Sequence, residues 1–390
     1  RVPACEAGRP VEPTVPGDAG GLVFSAHLSP VLGRGAGGAT VEVVAMLDPS
    51  RRHFLQTVTI AATAAAVGRR EAFGAAGTVG REHACDVLVI GGSLGGVAAA
   101  LAAARMGARV ILTEEVAWIG GQATAQGVPL DEHPWIEEFG STRSYRDFRN
   151  GVRDYYRRHY PLTPEARADR QLNPGAGWVS ALGFEPRVGL AVLHAMLAPH
   201  LSAGRVVILP HHRPTAVTME GDRMQAVTLL DEHSGAARTL TAPYILDATE
   251  LGDLLELGKI ESVIGAESQA ETGEPLAVAG PAEPREQMVF THVFAADYLP
   301  GEAHVIAKPR DYDFWRTARS HRGDFAKFTL PDLLGAKHDH LKRPVQPGAY
   351  TASTWKFRRM LCRENFVPGA FPSDVTVAIW PANESPLGVL

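Results

Sequence analysis

The stretch from Cys85 to Glu115, CDVLVIGGSLGGVAAALAAARMGARVILTEE, limits what this chain can fold into more than any other. Asp86 to Ile90 is a short apolar run rich in β-branched residues, suited to a parallel strand buried on both faces. Gly91, Gly92, Gly95 and Gly96 then interrupt it around Ser93, and an alanine-rich helix is expected from about Leu94 to Met106. Gly107 can stop that helix, and Val110 to Thr113 form a second strand that runs into Glu114 and Glu115.

Glycine at these spacings serves three needs: a tight turn, close approach of a pyrophosphate to the backbone, and close packing of helix on sheet. The helix would direct its N-terminal N–H groups at the phosphates. Ser93 stands where the GxGxxG fingerprint has its second glycine, so it narrows the phosphate site and offers a hydroxyl in exchange. Glu114 falls where an acid accepts hydrogen bonds from an adenosine ribose, with Glu115 as the neighbouring alternative. Beyond it, Gly120 and Gly121 with Gln122 form either an ordinary loop or a second backbone contact to a cofactor's phosphates or ribityl chain.

A chain of 390 residues with 45% hydrophobic content can bury a large core and form two or three domains. Its net charge of −5 gives no global reason to expect nucleic acid or an anionic membrane as partner. Cys5, Cys85 and Cys362 lie far apart with no CxxC, which argues against a disulfide framework, a zinc site or a dithiol redox centre.

Residues 1–45 are rich in Gly, Ala, Pro and Val without a sustained period, and are expected to be disordered or upstream of the natural start. Residues 46–80 differ. Ser50-Arg51-Arg52-His53-Phe54-Leu55 precedes a mildly apolar run from Thr57 to Val67 and small residues at Gly74 and Ala76. This resembles a bacterial twin-arginine export signal, which implies the twin-arginine translocation machinery as partner and a periplasmic or extracellular destination after folding in the cytoplasm. The plainer reading is a basic N-terminal helix. The run is too short and too rich in Ala and Thr for a stable membrane span.

Residues 131–184 read as a helical insertion between two parts of one domain, 84–130 and 185–260. Ser144 to Tyr160 is amphipathic, with Tyr145, Phe148, Val152, Tyr155 and Tyr156 on one side and Arg146, Arg149, Arg153 and Arg157 on another. Such a basic stripe is read first as a solvated face, and second as an anchor for an anionic substrate or phosphates. His133 and Tyr155 are the candidates for acid–base catalysis, with His159 a further histidine in reach of neutral pH. From Pro186 the αβ pattern resumes: a helix through Leu190, Leu193, Met196 and Leu197, then strands at Val206 to Leu209, Ala216 to Met219, Ala226 to Leu230 and Thr239 to Leu246. The last strand runs into Asp247-Ala248-Thr249-Glu250-Leu251-Gly252-Asp253-Leu254.

With both signatures in view, the chain from Cys85 to about Pro381 resembles the FAD-dependent oxidoreductases of the glutathione-reductase structural class. In that family the first turn commonly reads GGxxxG with Ser or Thr in the middle, and a later strand ends in DAT followed by GDL, matched here by Asp247, Ala248, Thr249, Gly252, Asp253 and Leu254. Glu250 departs from the glycine that often follows Ala-Thr. The resemblance implies an α/β fold: a Rossmann-like FAD-binding domain, the helical insertion and a mixed α+β substrate domain over residues 261–390. It implies that Gly91, Gly92, Ser93, Gly95, Gly96 and Glu114 hold the ADP half of FAD, that Gly120, Gly121 and Gln122 follow the phosphates and ribityl chain, and that Ala248 and Thr249 approach through their backbone. No metal is implied.

The second signature separates FAD from NAD, because a nicotinamide enzyme needs only the first. The implied activity is hydride transfer between a small organic substrate and flavin, with an electron acceptor that the sequence does not name. A NAD(P)-dependent dehydrogenase, a flavoprotein lyase or isomerase, and a truncated nucleotide-binding remnant are the alternatives. The last arises because the class's late glycine turn and helix have no match between Gly258 and Leu390, so the family pattern is expected to be incomplete at its C-terminal end. Within that region Glu286 to Ala296 and Asp374 to Trp380 are expected strands. Trp315, Tyr350, Trp355 and Trp380 line either a core or a flat substrate's pocket, and His338-Asp339-His340 reads as a charged loop.

Overall fold

The computed structural model describes residues 21–24, 81–288, 290–299, 302–317 and 354–378. In chain order its strands are β1 (Gly21–Phe24), β2 (Arg81–Ala84), β3 (Val87–Ile90), β4 (Val110–Thr113), β5 (Val206–Leu209), β6 (His212–Glu220), β7 (Arg223–Asp231), β8 (Ala237–Thr241), β9 (Tyr244–Asp247), β10 (Phe294–Leu299) and β11 (Val375–Ala378). The helices used below are α1 (Leu94–Arg105), α2 (Arg143–His159), α3 (Pro164–Ala168), α4 (Pro186–Ser202) and α5 (Asp253–Leu257).

A four-stranded parallel sheet in the order β5-β4-β3-β9 carries the architecture. β3 is central, and its side chains alternate between two buried layers as the pleat requires. Val89 joins Val110, Leu112 and Val206 beneath the helices, where Val97, Ala100 and Leu101 of α1 meet Val192, Leu193 and Leu197 of α4 and Phe148, Val152 and Tyr156 of α2. Leu88 and Ile90 point the other way with Ile111, onto Val227, Leu229 and Leu240 of the antiparallel β6-β7-β8 meander. The result is helix layer, parallel sheet and meander. Each fully buried Leu or Ile at the sheet contributes about 1.5–3 kcal/mol, so burial on both faces explains why the strand sequence VLVI is apolar throughout.

Several sequence expectations need correction. The run from Thr239 to Leu246 is two strands in different sheets, β8 pairing with β7 and β9 with β3, separated by Ala242 and Pro243. Proline has no N–H to give to a ladder, and the chain changes sheet there. The strand expected over Glu286 to Ala296 begins only at Phe294, where β10 pairs antiparallel with β11 and with β1. The twin-arginine stretch, the rest of residues 1–80 apart from β1, His338-Asp339-His340, Tyr350 and Trp380 lie outside the described residues.

The basic stripe of α2 is not a solvated face. Arg149 is fully buried and pairs with Glu132 and Glu137, and Arg153 pairs with Glu137 through Nη1 at 3.0 Å while its Nε donates to the Leu172 carbonyl at 3.0 Å. Tyr145 donates to Glu132 at 2.6 Å and Ser180 to the same carboxylate at 3.1 Å. Residues 354–378 lock onto the insertion through more arginines. Arg358 donates to the Pro129 carbonyl at 2.8 Å and pairs with Asp131 at 2.9 Å, and Arg359 donates to Gly175 O at 2.7 Å and pairs with Asp374 at 2.6 Å.

Candidate nucleotide cofactor site

The site begins where β3 ends. Gly91 adopts φ +97°, and a β carbon there would sit 2.2 Å from the Ala248 carbonyl oxygen, so only glycine lets the end of β3 cross the end of β9. A β carbon on Gly96 would lie 2.1 Å from Gly91 O, which is what draws α1 down onto the turn. Ser93 is the N-cap of α1, its Oγ accepting from the Gly96 N–H at 3.1 Å. Its hydroxyl therefore serves the helix first. The first intrahelical bond runs from Val97 N to Ser93 O, which leaves the N–H groups of Leu94 and Gly95 without an acceptor inside the helix. Those two groups are the donors a phosphate would meet.

Glu114, at the end of β4, is buried and holds the turn from the other side. Gly92 N–H donates to its Oε2 at 2.9 Å and Val116 N–H to its Oε1 at 3.1 Å. Burial pushes its carboxyl above the usual carboxylate range, outweighing the two N–H donors, and the nearby charge of Glu115 adds to the rise. Each oxygen keeps a second lone-pair direction, so the carboxylate can brace the turn and still accept from a diol. Gly120, at φ +112°, donates its N–H to Gly92 O at 2.6 Å, and Gly121 packs beside Ser93. Gln122 is half-buried and its carbonyl accepts from Val128 N at 3.2 Å.

The return strand closes the arrangement. Ala248 N–H donates to Ile90 O at 2.7 Å. Asp247 accepts from Thr249 N at 3.0 Å, Thr249 Oγ1 at 2.7 Å and Leu254 N at 3.0 Å, while Thr249 Oγ1 accepts from Asp253 N at 2.8 Å. The Asp-Ala-Thr signature thus caps α5 with its own side chains, and what Ala248 and Thr249 present to a ligand is main chain.

Gly91, Ser93, Glu114, Ala248 and Thr249 line one cleft of about 400 Å³, whereas Gly120, Gly121 and Gln122 are not part of that lining. Gly92 and Gly96 lie behind that lining and Gly95 is exposed at the first turn of α1. Sequence reasoning missed the far wall, made by His212, Arg213 and Pro214 at the start of β6, and the acids Glu250 and Glu256. His212 is placed by its N–H bond to Glu114 O at 2.8 Å, a consequence of β5 lying beside β4, and no local motif announces that contact. Glu250 was visible only as a departure from a pattern.

The two acid–base candidates sit elsewhere and apart. The ring of His133 lies among Trp135 and Phe139, with centroids 6.3 and 6.0 Å away, and its Nε2 is buried without a hydrogen-bond partner. Tyr155 packs against His159 and Tyr160, at 4.5 and 6.4 Å between centroids. Among the described residues no group of His, Cys, Asp or Glu is placed to hold a metal ion, and no helix is long and apolar enough to cross a membrane.

A dinucleotide suits this lining: a glycine crossing with no room for side chains, the N-cap Ser93 of a helix whose first N–H groups lack an acceptor within it, and a carboxylate with free acceptor capacity at the end of β4. The sequence pattern of the family described as FAD dependent oxidoreductase matches residues 86–385, and the chain belongs to that family. FAD is the cofactor of that family. No curated protein sequence matches the chain. Among solved structures, it is similar to the FAD-dependent myxobacterial chondrochloren halogenase, with 21% identity over 43% of this chain and 38% of that one and a TM-score of 0.27. It is also similar to the glycerol-3-phosphate dehydrogenase from Bacillus halodurans complexed with FAD, with 14% identity, 57% and 46% covered and a TM-score of 0.30. A geranylgeranyl bacteriochlorophyll reductase-like protein from Thermoplasma acidophilum gives 18% identity, 47% and 44% covered and a TM-score of 0.30. The chain spans less than half the length of each of these three.

Proposed function

We propose that this protein is an FAD-dependent oxidoreductase of the glutathione-reductase structural class that moves a hydride between a small organic substrate and the flavin, passing electrons to or from a separate acceptor. The observation that carries the reading is the crossing of the two signatures: Gly91 is packed against Ala248 and Thr249, so the turn and the Asp-Ala-Thr strand end border one cleft. When bound, the isoalloxazine ring supplies the two-electron chemistry and the protein supplies orientation and electrostatics.

The roles follow from the positions. Leu94 and Gly95 N–H groups take the phosphates, Glu114 takes the ribose diol with Glu115 beside it, and the backbone of Gly120, Gly121 and Gln122 follows the chain toward the flavin. Of the acid–base candidates, His133 has the stronger case, since its Nε2 is unpaired whereas Tyr155 is engaged in ring packing. The Ser50-Arg51-Arg52 stretch supports export of the folded protein by the twin-arginine route.

The visible absorption spectrum of the purified chain, before and after incubation with FAD and removal of excess, tests the reading. Retained flavin bands that bleach under anaerobic reduction are the expected result. A chain that retains no flavin and instead binds NAD would replace this reading with a nicotinamide dehydrogenase.

A further inference from the structure

Among the charged cleft residues with no part in the scheme above, Glu250 is the one seated against the turn. Glu250 follows Ala248 and Thr249 directly, is exposed, and belongs to the cleft lining. Its Oε1 lies 2.7 Å from where a β carbon on Gly121 would be, and that same point is 3.3 Å from Ser93 Cα. The carboxylate is thus seated at the junction of three segments: the start of α1, the Gly120–Gly121 turn and the Asp-Ala-Thr return. Gly121, at φ +49°, leaves the space it occupies.

Such a group divides the cleft chemically. A carboxylate accepts hydrogen bonds and offers none, so it draws hydroxyl donors and repels phosphate oxygens. The N–H groups of Leu94 and Gly95, at the start of the helix that Ser93 caps, do the reverse. Among the described residues the lining holds little cationic charge to soften the contrast: Glu114, Glu115, Asp253 and Glu256 line it too, and Arg213 has its Nε bonded to Glu232 at 2.8 Å. A ligand with phosphates at one position and a polyol at the next satisfies both ends. Glycine at position 250 would remove the carboxylate that stands between the start of α1 and the Gly120–Gly121 turn.

The geometry points to Glu250 as a positioning residue that accepts hydrogen bonds from the hydroxyl-bearing chain linking the pyrophosphate to the flavin, and so fixes which way the cofactor runs through the cleft. This rests on the FAD reading of the same site. Because ADP carries the phosphates without the ribityl chain, the two halves of the cofactor separate the contributions.

The test compares FAD and ADP binding to the full chain and its E250A and E250Q variants, by flavin fluorescence quenching and by calorimetry. A lost hydrogen bond to a charged acceptor predicts FAD binding about tenfold weaker in E250A. E250Q, which keeps one carbonyl acceptor, falls between E250A and the parent. ADP affinity stays within about twofold in both, which also shows that the variants are folded. Parallel weakening of FAD and ADP, unchanged FAD binding, or tighter binding of both would overturn the assignment, the last marking the carboxylate as simple repulsion. Failure of the parent chain to bind FAD at all would overturn the flavin reading itself, a different result from any of these.

Discussion

Gly92 and Gly96 of the glycine turn and the inward face of helix α2 are both buried, and they reach burial by opposite means. Around β3 the backbone comes close because side chains are missing: Gly91 and Gly96 approach carbonyl oxygens at distances no β carbon allows. Around α2 the interior is filled by large charged groups, Arg149 and Arg153 against Glu132 and Glu137. The first arrangement tolerates no added atom, and the second tolerates no removed charge. The difference teaches that burial alone does not say which substitution a site resists.

Removing one charge is expected to have the largest effect. R149A leaves Glu132 and Glu137, whose side chains are largely shielded from water, with fewer partners and should cost about 3–5 kcal/mol, read as a fall in the urea midpoint. A loss below about 1 kcal/mol, the size of an exposed pair, would mean that water reaches this cluster. Adding one methyl comes next. G91A meets both a positive φ and the Ala248 carbonyl, and should cost about 3 kcal/mol with loss of FAD retention. If G91A keeps full FAD loading, the crossing is not what shapes the cleft.

The smallest expected effect is a difference in sign with pH. Burial pushes the Glu137 carboxyl up, but the guanidiniums of Arg153 and Arg149 together pull harder, so it ends below its ordinary value. Its contribution is present above the unfolded carboxylate pKa and is lost as pH falls through the lower folded value. Glu114 is raised by burial, so its contribution is complete below the unfolded value of 4.5 and is lost as pH rises through the higher folded one. Hydrogen exchange at about pH 6 and about pH 4, corrected for intrinsic rates, should show protection falling in α2 on acidification and holding or rising at the glycine turn. Equal loss in both would remove the distinction.

Legibility in the sequence divides along the same line. The βαβ unit could be read because its constraints are local: glycines a few residues apart, an alanine run, an acid at a strand end. The Asp-Ala-Thr return was readable through its resemblance to the family's second signature; its side-chain hydrogen bonds stay within Asp247 to Leu254, while its main chain reaches Ile90. Arg149 and Arg153 could not be placed from helical spacing. Their partners Glu132 and Glu137 sit upstream in a stretch with no period, and only the fold brings them together. His212 and Glu250 were missed for a similar reason, since each reaches the cleft by strand neighbours or by a gap opened at Gly121. Pro243 was the one available signal for the split of β8 from β9, and the strand-forming residues on both sides of it concealed it.

The crossing of Gly91 with Ala248 also has a temporal side. A ribosome adds about 5–20 residues per second, and the second half of the crossing emerges roughly 160 residues after the first. For something like ten to thirty seconds of synthesis β3 therefore has β4 on one edge and nothing on the other, with an open strand edge beside an unfinished turn. A cleft built on both halves of the crossing is complete only once Ala248 has been made, and α2 is synthesised while that edge of β3 is still open.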